Sequence, residues 1–426
     1  MELFKTLSRA WKVKEIRSQM IFTFLMLAVF RIGSNIPVPN INRDYLAQMF
    51  SSSAGLLDLF DLFSGGALSN FTIFALSITP YVTASIIMQL LTIAIPALER
   101  MTKEGNEGRK KMASITRYVT VALALIQSIG MTLGFFRQAI IDNSVLSLAT
   151  VIMILTAGSV LLMWIGEKIN ENGIGNGISL IIFAGIVSRI PSGIRGIFTQ
   201  YKEGTISTVA LIGLVVAAVL VAMFIICVQQ GVRKIPVQYA KRVVGRKMYG
   251  GQSTFIPMKV TQAGVIPIIF SLTLLQFPLT VAVFVPDSAF AQWVNKYLSQ
   301  YGDPGVWVYS VLNIVLTLAF TFFYTAIIFN PAQVADNMRQ SGAFIPGIRA
   351  GKATEEYLTG VMHRLCFVGG LFLALVATIP TMISVFTPFN FMFGGTSILI
   401  AIGVALDSVQ RLENQLLSRN YEGFLK

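Results

Sequence analysis

Few side chains in this sequence have the types and spacing that enzyme chemistry requires. It contains one histidine, His363, and two cysteines, Cys227 and Cys366, too few for a His-Glu-x-x-His site or a set of paired cysteine ligands. It has neither a Gly-x-x-x-x-Gly-Lys-Ser/Thr phosphate loop nor a Gly-x-Ser-x-Gly elbow. In GIGNGIS, residues 173–179, Asn176 replaces the aspartate of Gly-x-Gly-Asp proteases, and an amide cannot act as general acid or base. The sequence therefore predicts no catalytic residue, metal site or cofactor.

The composition indicates which elements must position the remaining residues. Of the 426 residues, 54% are hydrophobic and 12% are charged, and the mean hydropathy of +0.69 lies outside the range of soluble domains. A helix that crosses a bilayer needs about 20 mostly apolar residues. Apolar segments of about that length lie near 20–36, 71–95, 116–136, 147–165, 174–190, 206–228, 261–286, 306–329, 362–385 and 393–410. The sequence therefore predicts an all-α polytopic membrane protein with ten spans.

The basic residues predict the orientation of these spans. Most of the 33 Lys and Arg residues precede the first span, follow spans 2, 4, 6 and 8, or lie at the carboxyl end. The exceptions are Arg31, Arg43, Arg137, Arg189, Arg195, Lys202 and Lys296. Because cytoplasmic loops are enriched in Lys and Arg, we expect both termini in the cytosol. Residues 2–16 are expected to form an amphipathic helix on the membrane surface, against anionic lipid, before a retained first span.

The ionisable residues bear on whether the protein is an ion-coupled transporter. Such transporters place ionisable groups deep in the membrane. Here Arg31, Glu167, Arg364 and Asp407 fall near the ends of their spans, where long side chains reach the interface. Two alternatives stay open on the residues alone: a secondary transporter with an inverted repeat, and an insertase-like or scaffolding protein with no continuous pore.

Five motifs in register resemble the SecY family, the central subunits of protein-translocation channels. They are GLLDLFDLFSGGALSNFTIFALSITPYVTASIIMQLL (55–91), GIGNGIS (173–179), QQGVRKIPVQYAKRVVGRKMYGGQSTFIPMKV (229–260), NPAQVADNMRQSGAFIPGIRAGKATEEYL (330–358) and FGGTS (393–397). The resemblance covers essentially the whole chain. It implies ten transmembrane helices in two inverted five-helix halves, a SecY-like clamshell. The corresponding parts are an amino-terminal segment (1–19), a first half (20–190), a second half (191–410) and a cytosolic tail (411–426).

The same resemblance implies a passive protein-conducting channel. It would move unfolded, signal-bearing polypeptides across the bacterial cytoplasmic membrane and release transmembrane segments laterally into the bilayer. The SecA ATPase or the translating ribosome would supply the energy. SecE and SecG would be partner subunits, with SecE bracing the two halves.

In this family, a ring of branched aliphatic residues forms the narrowest point of the channel. Such side chains are stiff and lack hydrogen-bonding groups, so they neither bind a passing polypeptide nor leave a wet path for ions. The residues that match the ring are Ile78, Val82, Ile178, Ile182, Ile269 and Ile400. In spans 2 and 5 the paired members are four residues apart, and therefore on one helix face. A core or lipid-facing position is the alternative for each.

The passage DLFSGGALSN, residues 61–70, matches the family's plug, a short re-entrant segment in the external funnel beside the ring. The plug lies near residues 57–70, and its matching residues are Leu59, Phe60, Leu62, Phe63, Ser64, Gly65, Gly66 and Ala67. Non-helical backbone at membrane depth is tolerated only inside protein or beside a water-filled cavity. We expect a small, weakly held piece that swings out when the channel opens. A plain turn between two spans is the alternative.

The resemblance also places a lateral gate between spans 2, 3 and 7. The matching residues are Thr83, Gln127, Thr273 and Phe277. Interhelical hydrogen bonds from such residues are worth about 0.6–2 kcal/mol each, which an inserted apolar segment could offset. Pro267 and Pro278 are each expected to leave a carbonyl unpaired, so that span 7 bends easily. For Gln127 the alternative is an interhelical bond with no gating role.

Two cytosolic loops, 229–260 and 330–361, are expected to bind partners. Their basic residues are Arg233, Lys234, Lys241, Arg242, Arg246, Lys247 and Arg349. A cluster of this kind would bind RNA phosphates with salt-sensitive affinity, and STFIPMKV reads as a strand. The resemblance assigns the first loop to the ribosome and SecA, and Arg349 to SecA. A turn residue or a lipid-phosphate contact is the alternative for Arg349.

Overall fold

The computed structural model describes residues 8–52, 61, 64–142, 144–204, 207–239, 242–244, 247–249, 253–285, 288–298, 304–386 and 395–423. Most of these residues are helical. The helices are α1 (Lys14–Gly33), α2 (Arg43–Ser52), α3 (Thr79–Ala94), α4 (Pro96–Lys103), α5 (Asn106–Gly130), α6 (Val145–Asn172), α7 (Gly177–Lys202), α8 (Thr208–Gln229), α9 (Ile266–Phe284), α10 (Ala289–Tyr297), α11 (Gly305–Ile328), α12 (Pro331–Ser341), α13 (Lys352–Phe386) and α14 (Gly395–Gly423). A π-helical turn, Met131–Phe135, and a 3₁₀ turn, Arg137–Ala139, follow α5.

Each predicted span contains one long helix: α1, α3, α5, α6, α7, α8, α9, α11, α13 or α14. Within the described residues, seven helices are long and apolar enough to cross a bilayer, and α3 with α4, bent by 105°, makes an eighth. The other two predicted spans, α9 and α14, fall short of that length or apolarity. Both nevertheless supply buried residues to the centre of the molecule.

Span 2 differs from the sequence prediction, because its first part is not helical. Residues 71–78 form consecutive turns, with positive φ at Phe71 (43°) and Ser77 (55°), and α3 begins only at Thr79. Protein surrounds this segment and partners its backbone. Phe71 accepts a backbone hydrogen bond from Val38 at 3.0 Å, and the Ile73 N–H donates to the Ile36 carbonyl at 3.1 Å. Irregular backbone at this depth is therefore stabilised by burial inside protein.

Span 5 is also longer than predicted. Helix α7 continues past residue 190 to Lys202, with Pro191 inside it. Arg189 and Arg195, which the sequence places at or just beyond the end of the span, therefore lie on the helix itself. The boundary predicted between the two halves falls within α7.

The two long loops join in one small sheet. Strands β1 (Val232–Tyr239) and β4 (Ser253–Lys259) pair antiparallel, which confirms the strand predicted in STFIPMKV. Strand β5 (Ala343–Phe344), from the second loop, pairs with the other edge of β1, giving the order β4-β1-β5. Strands β2 (Arg242–Val244) and β3 (Lys247–Tyr249) form a separate hairpin.

A cluster of buried apolar side chains, here called the central cluster, links the two halves. It contains residues of α1, α3, α6 and α7 and of α8, α9, α11, α13 and α14. Between α9 and α11, for example, Phe270 packs edge-to-face on Phe320 with ring centroids 5.8 Å apart. Helices in a bilayer associate through such van der Waals contacts, because lipid is as apolar as the side chains themselves. The central cluster therefore fixes where the functional side chains lie.

Candidate functional site

The structure brings the six predicted ring residues together. Five belong to the central cluster and are almost fully buried, with exposed fractions of 0–6%. Those five are Ile78, Val82, Ile182, Ile269 and Ile400, and Ile178 is partly buried against them. They come from both halves of the chain, so an apolar constriction is sterically possible at this point. Their role in conduction stays a prediction.

Hydrogen bonds at the starts of α3 and α7 position four of these residues. Ile78 is the N-cap of α3, and its carbonyl accepts the Val82 N–H at 3.1 Å, so the two lie one turn apart. At the start of α7, the Asn176 side chain accepts the Ile178 N–H at 3.1 Å. Such capping satisfies amides that have no partner within the helix.

The GIGNGIS motif thus has a structural purpose here. The Gly177 N–H donates to Asn170 Oδ1 at 2.8 Å. A Cβ at Gly177 would lie 2.1 Å from the Gly166 carbonyl oxygen, far inside van der Waals contact. The absence of a side chain therefore lets the start of α7 approach α6 and sets the height of its two ring residues.

A cavity of about 210 Å³ lies among the ends of four helices. Its lining includes the start of α7 at Asn176, the end of α8 at Gln229, the start of α9 at Val265, and Asp407 on α14. These are the helix ends that the basic residues predict to face the cytosol. Its lining combines polar groups such as Asn176, Gln229 and Asp407 with apolar ones such as Val265.

Only part of the predicted plug lies within the described residues. Leu59, Phe60, Leu62 and Phe63 fall outside them. Of the others, Ser64, Gly65 and Ala67 are buried and Gly66 is half-buried. Ala67 belongs to the central cluster, which also holds the ring. Gly65 and Gly66 have φ of +67° and +90°, values that glycine adopts without steric cost.

This segment is held much more firmly than the sequence suggested. Asp61 is fully buried and ion-paired with Arg189 of α7. Its Oδ1 accepts hydrogen bonds from the Ser64 hydroxyl at 2.9 Å and from the N–H groups of Leu68 at 3.0 Å and Ser69 at 2.9 Å. The prediction of a weakly held piece is therefore wrong for the described residues 61 and 64–69. Small side chains suggested loose packing, whereas a buried carboxylate organises the turn.

Arg31 makes a contact that the sequence did not predict. Its Nη1 donates to the Gly65 carbonyl at 3.2 Å. Ser188 of α7 donates to the same oxygen at 3.2 Å. Sequence reasoning missed these contacts, although Arg31 and Arg189, two cations on the side that carries few basic residues, were a signal that could have been used.

The predicted gate residues lie on α3, α5 and α9. Thr83 and Thr273 are buried, Gln127 is half-buried and Phe277 is 45% exposed. The prediction that polar groups bond across the gate is wrong for the two threonines. The Thr83 hydroxyl donates to the Thr79 carbonyl at 3.0 Å and the Thr273 hydroxyl to the Ile269 carbonyl at 2.7 Å, each within its own helix.

Hydrogen bonds between helices near the gate run within one half. The hydroxyls of Ser128 and Thr156 join α5 to α6 at 2.9 Å, and Ser271 of α9 donates to Asn313 of α11 at 2.8 Å. Each half is therefore braced internally by polar contacts next to the seam between the halves.

The expectation that Pro267 and Pro278 each leave a carbonyl unpaired in α9 is half right. Pro278 lies inside the helix, but Pro267 lies in its first turn. An N–H in the first turn has no partner within the helix in any case, so proline there frees no carbonyl. Only Pro278 therefore weakens α9.

The basic residues of the two loops lie on one folded unit. Arg233 and Lys234 are exposed on β1, and Lys234 Nζ lies 4.9 Å from the centre of the Phe255 ring on β4. Arg349 is exposed in the turn before α13. Lys241 and Arg246 fall outside the described residues, and Arg242 and Lys247 are described only as parts of β2 and β3.

A shared core supports this unit. Ile235 and Val237 of β1, Ala343 of β5 and Leu358 of α13 pack in one buried cluster. The sheet thus ties both loops to the start of α13, so that the exposed cations are carried on a rigid base.

Comparison with known proteins agrees with this architecture. A family model described as SecY matches residues 72–409. The protein translocase subunit SecY of Halalkalibacterium halodurans is 47% identical, covering 100% of both chains. That of Bacillus subtilis is 44% identical, again over 100% of both.

Solved structures show the same fold. One entitled "The structure of a protein conducting channel" aligns with a TM-score of 0.70 and 21% identity, covering 94% of this chain and 93% of the other. Another is entitled "The plug domain of the SecY protein stablizes the closed state of the translocation channel and maintains a membrane seal". It aligns with a TM-score of 0.68 and 20% identity, covering 94% of this chain and 93% of the other. The predicted fold of ten helices in two inverted halves is confirmed. The chain belongs to the SecY family and is a protein translocase subunit.

Proposed function

We propose that this chain forms the pore through which unfolded, signal-bearing polypeptides cross the bacterial cytoplasmic membrane. The observation that carries the proposal is the convergence of Ile78, Val82, Ile182, Ile269 and Ile400 in one buried apolar cluster. Such a ring closes by excluding water and opens without breaking hydrogen bonds. Both termini lie in the cytosol, and the chain does no chemistry of its own.

The proposed plug seals the external side of this ring. The support is the burial of Ser64 and Ala67 and the contact of Ala67 with the central cluster. Deletion of residues 57–67 should leave protein export largely intact and raise ion leak through the resting channel. Unchanged resting conductance in the deletion variant would contradict this role.

The seam where α3 and α5 meet α9 is the proposed lateral gate. Since the hydroxyl protons of Thr83 and Thr273 are used within their own helices, opening the seam leaves those bonds intact. An apolar signal segment then only replaces one set of van der Waals contacts by another. The gate therefore suits release of transmembrane segments into lipid.

The sheet that joins the two loops is the proposed docking surface for the SecA ATPase and the translating ribosome. Arg233, Lys234 and Arg349 present exposed positive charge on a rigid base, which suits acidic protein surfaces and RNA phosphates. SecE and SecG complete the working complex, and SecE braces the two halves.

Reconstitution tests the whole proposal. The chain, SecE and SecG are placed in lipid vesicles with SecA outside and a secretory precursor added. We expect the precursor to become protease-protected only when ATP is present. Protection that is absent, or that does not depend on ATP, would contradict the proposed channel function.

A further inference from the structure

The buried contact between Asp61 and Arg189 is the most polar feature near the proposed seal. Asp61 is 0% exposed and the Arg189 side chain 15% exposed. Removing one partner of such a pair leaves an uncompensated charge in a low-dielectric site, which is strongly unfavourable. The pair therefore has a large effect on whether residues 64–69, which Asp61 binds through its side chain, stay where they are.

Further contacts fix the same segment to the same helices. The Gly65 carbonyl accepts from Arg31 of α1 and from Ser188 of α7, both at 3.2 Å. A Cβ at Gly65 would lie 2.7 Å from the Gly185 Cα, so the two backbones are in direct contact. The segment thus packs directly against α7, and two cations, Arg31 and Arg189, contact it.

The helix that holds this segment also carries part of the ring. Ile182 precedes Gly185 by three residues, and Gly185 precedes Arg189 by four, a spacing that puts all three on one face of α7. The ring residue Ile182 and the residues of α7 that contact Asp61 and Gly65 therefore lie on successive turns of one helix face. A shift of Asp61 changes the environment of Arg189 directly.

We propose that Arg189 is a positioning residue for the plug, and that its ion pair with Asp61 is the latch that holds the channel closed. The proposal rests on the plug role assigned above. Charge pairing, rather than apolar fit, then sets how readily the seal opens. Arg31 supports the latch through the Gly65 carbonyl.

Resting conductance of the chain with SecE and SecG in planar bilayers tests the latch. Arg189→Gln removes the cation, and Asp61→Asn removes the charge but keeps an oxygen for the Leu68 and Ser69 amides. Each variant should raise resting conductance at least tenfold. Arg189→Lys keeps the charge and should stay within about threefold of the wild type. Arg195→Gln, an exposed cation on the same helix, is the matched control and should change nothing.

The double variant Asp61→Asn/Arg189→Gln separates a latch from a general loss of structure. Because it leaves no unpaired buried charge, it should leak less than either single variant. The latch is overturned if the increase in resting conductance of the double variant equals the product of the two single-variant increases. It is also overturned if Arg189→Gln has wild-type conductance. If the 57–67 deletion leaks while Arg189→Gln does not, the latch alone is overturned. If the deletion itself does not leak, the plug role fails, and the latch with it.

Discussion

Gly158 of α6 allows a close contact with the irregular start of span 2. A Cβ at this position would lie 1.8 Å from the Ile73 carbonyl oxygen and 2.8 Å from its carbon. Both are backbone atoms, so no rotamer change can relieve the overlap. In Gly158→Ala, α6 and residues 71–78 must separate by more than 1 Å to reach the shortest contacts that real Cβ atoms make.

The cost of that separation follows from the contacts it disturbs. Overpacking in a dense interior costs about 1–3 kcal/mol, and this case belongs at the upper end because backbone meets backbone. Movement of Ile73 also strains its 3.1 Å bond to the Ile36 carbonyl, worth about 1 kcal/mol. Alanine regains up to about 1 kcal/mol of helix propensity. The net loss in free energy of unfolding should be about 3 kcal/mol.

Titration with SDS in mixed micelles, followed by circular dichroism, measures this loss. Gly213→Ala in α8 is the matched control, because a Cβ there meets nothing within 4 Å. It should be neutral or slightly stabilising. Residues 71–78 end at Ile78, which is one of the predicted ring residues. Because Gly158→Ala displaces this segment, it should also raise resting conductance. Equal unfolding midpoints for the two alanine variants would refute the close-contact argument.

Three further predictions concern the loops and the gate. Arg349→Ala should lower SecA-driven precursor protection at least fivefold. Arg339 is an exposed cation on α12, and Arg339→Ala should leave protection unchanged; equal protection in the two variants would contradict docking at the turn that carries Arg349. Ala343→Asp places a carboxylate in a site that is 3% exposed and should lower the stability of the sheet by several kcal/mol. Limited proteolysis should therefore cut both loops faster, and unchanged cleavage would argue against a shared core. Pro278→Ala restores an N–H that can reach the Leu274 carbonyl and stiffens α9. A marginally apolar test segment should then be integrated into lipid less often, and unchanged integration would show that α9 does not bend at Pro278.

The sequence predicted the features that depend on local composition. Apolar length located all ten span helices, and the stretch STFIPMKV located β4. It could not show that residues 71–78 are irregular, because that segment is as apolar as a helix and its turns depend on partners at Val38 and Ile36. Nor could it show that β5 pairs with β1, since the paired residues Gln238 and Phe344 are far apart in the chain.

The predicted gate residues show how a family match at the level of residues can carry a wrong expectation about their interactions. Thr83 and Thr273 were expected to bond across the seam, but a threonine in a helix has the carbonyl four residues earlier within reach at all times. A bond across the seam must compete with that local acceptor, and here the local acceptor wins in both helices. These two hydroxyl protons therefore do not hold α3 and α9 together, which under the proposed gate lowers the barrier to an apolar segment.

Asp61 and Arg189 illustrate the opposite limit, an interaction invisible to any local pattern. The residues are 128 positions apart, and each has an ordinary local explanation: a polar residue in a turn, and a cation near the end of a span. Their charges become informative only when both are seen to be removed from water, because a buried charge persists only with a partner. A carboxylate within a segment destined for the interior therefore implies a cation on a neighbouring helix. Under the proposed latch, release of the plug requires this ion pair to break, so the charge of Arg189, and not the smallness of the glycines, sets how readily the plug moves.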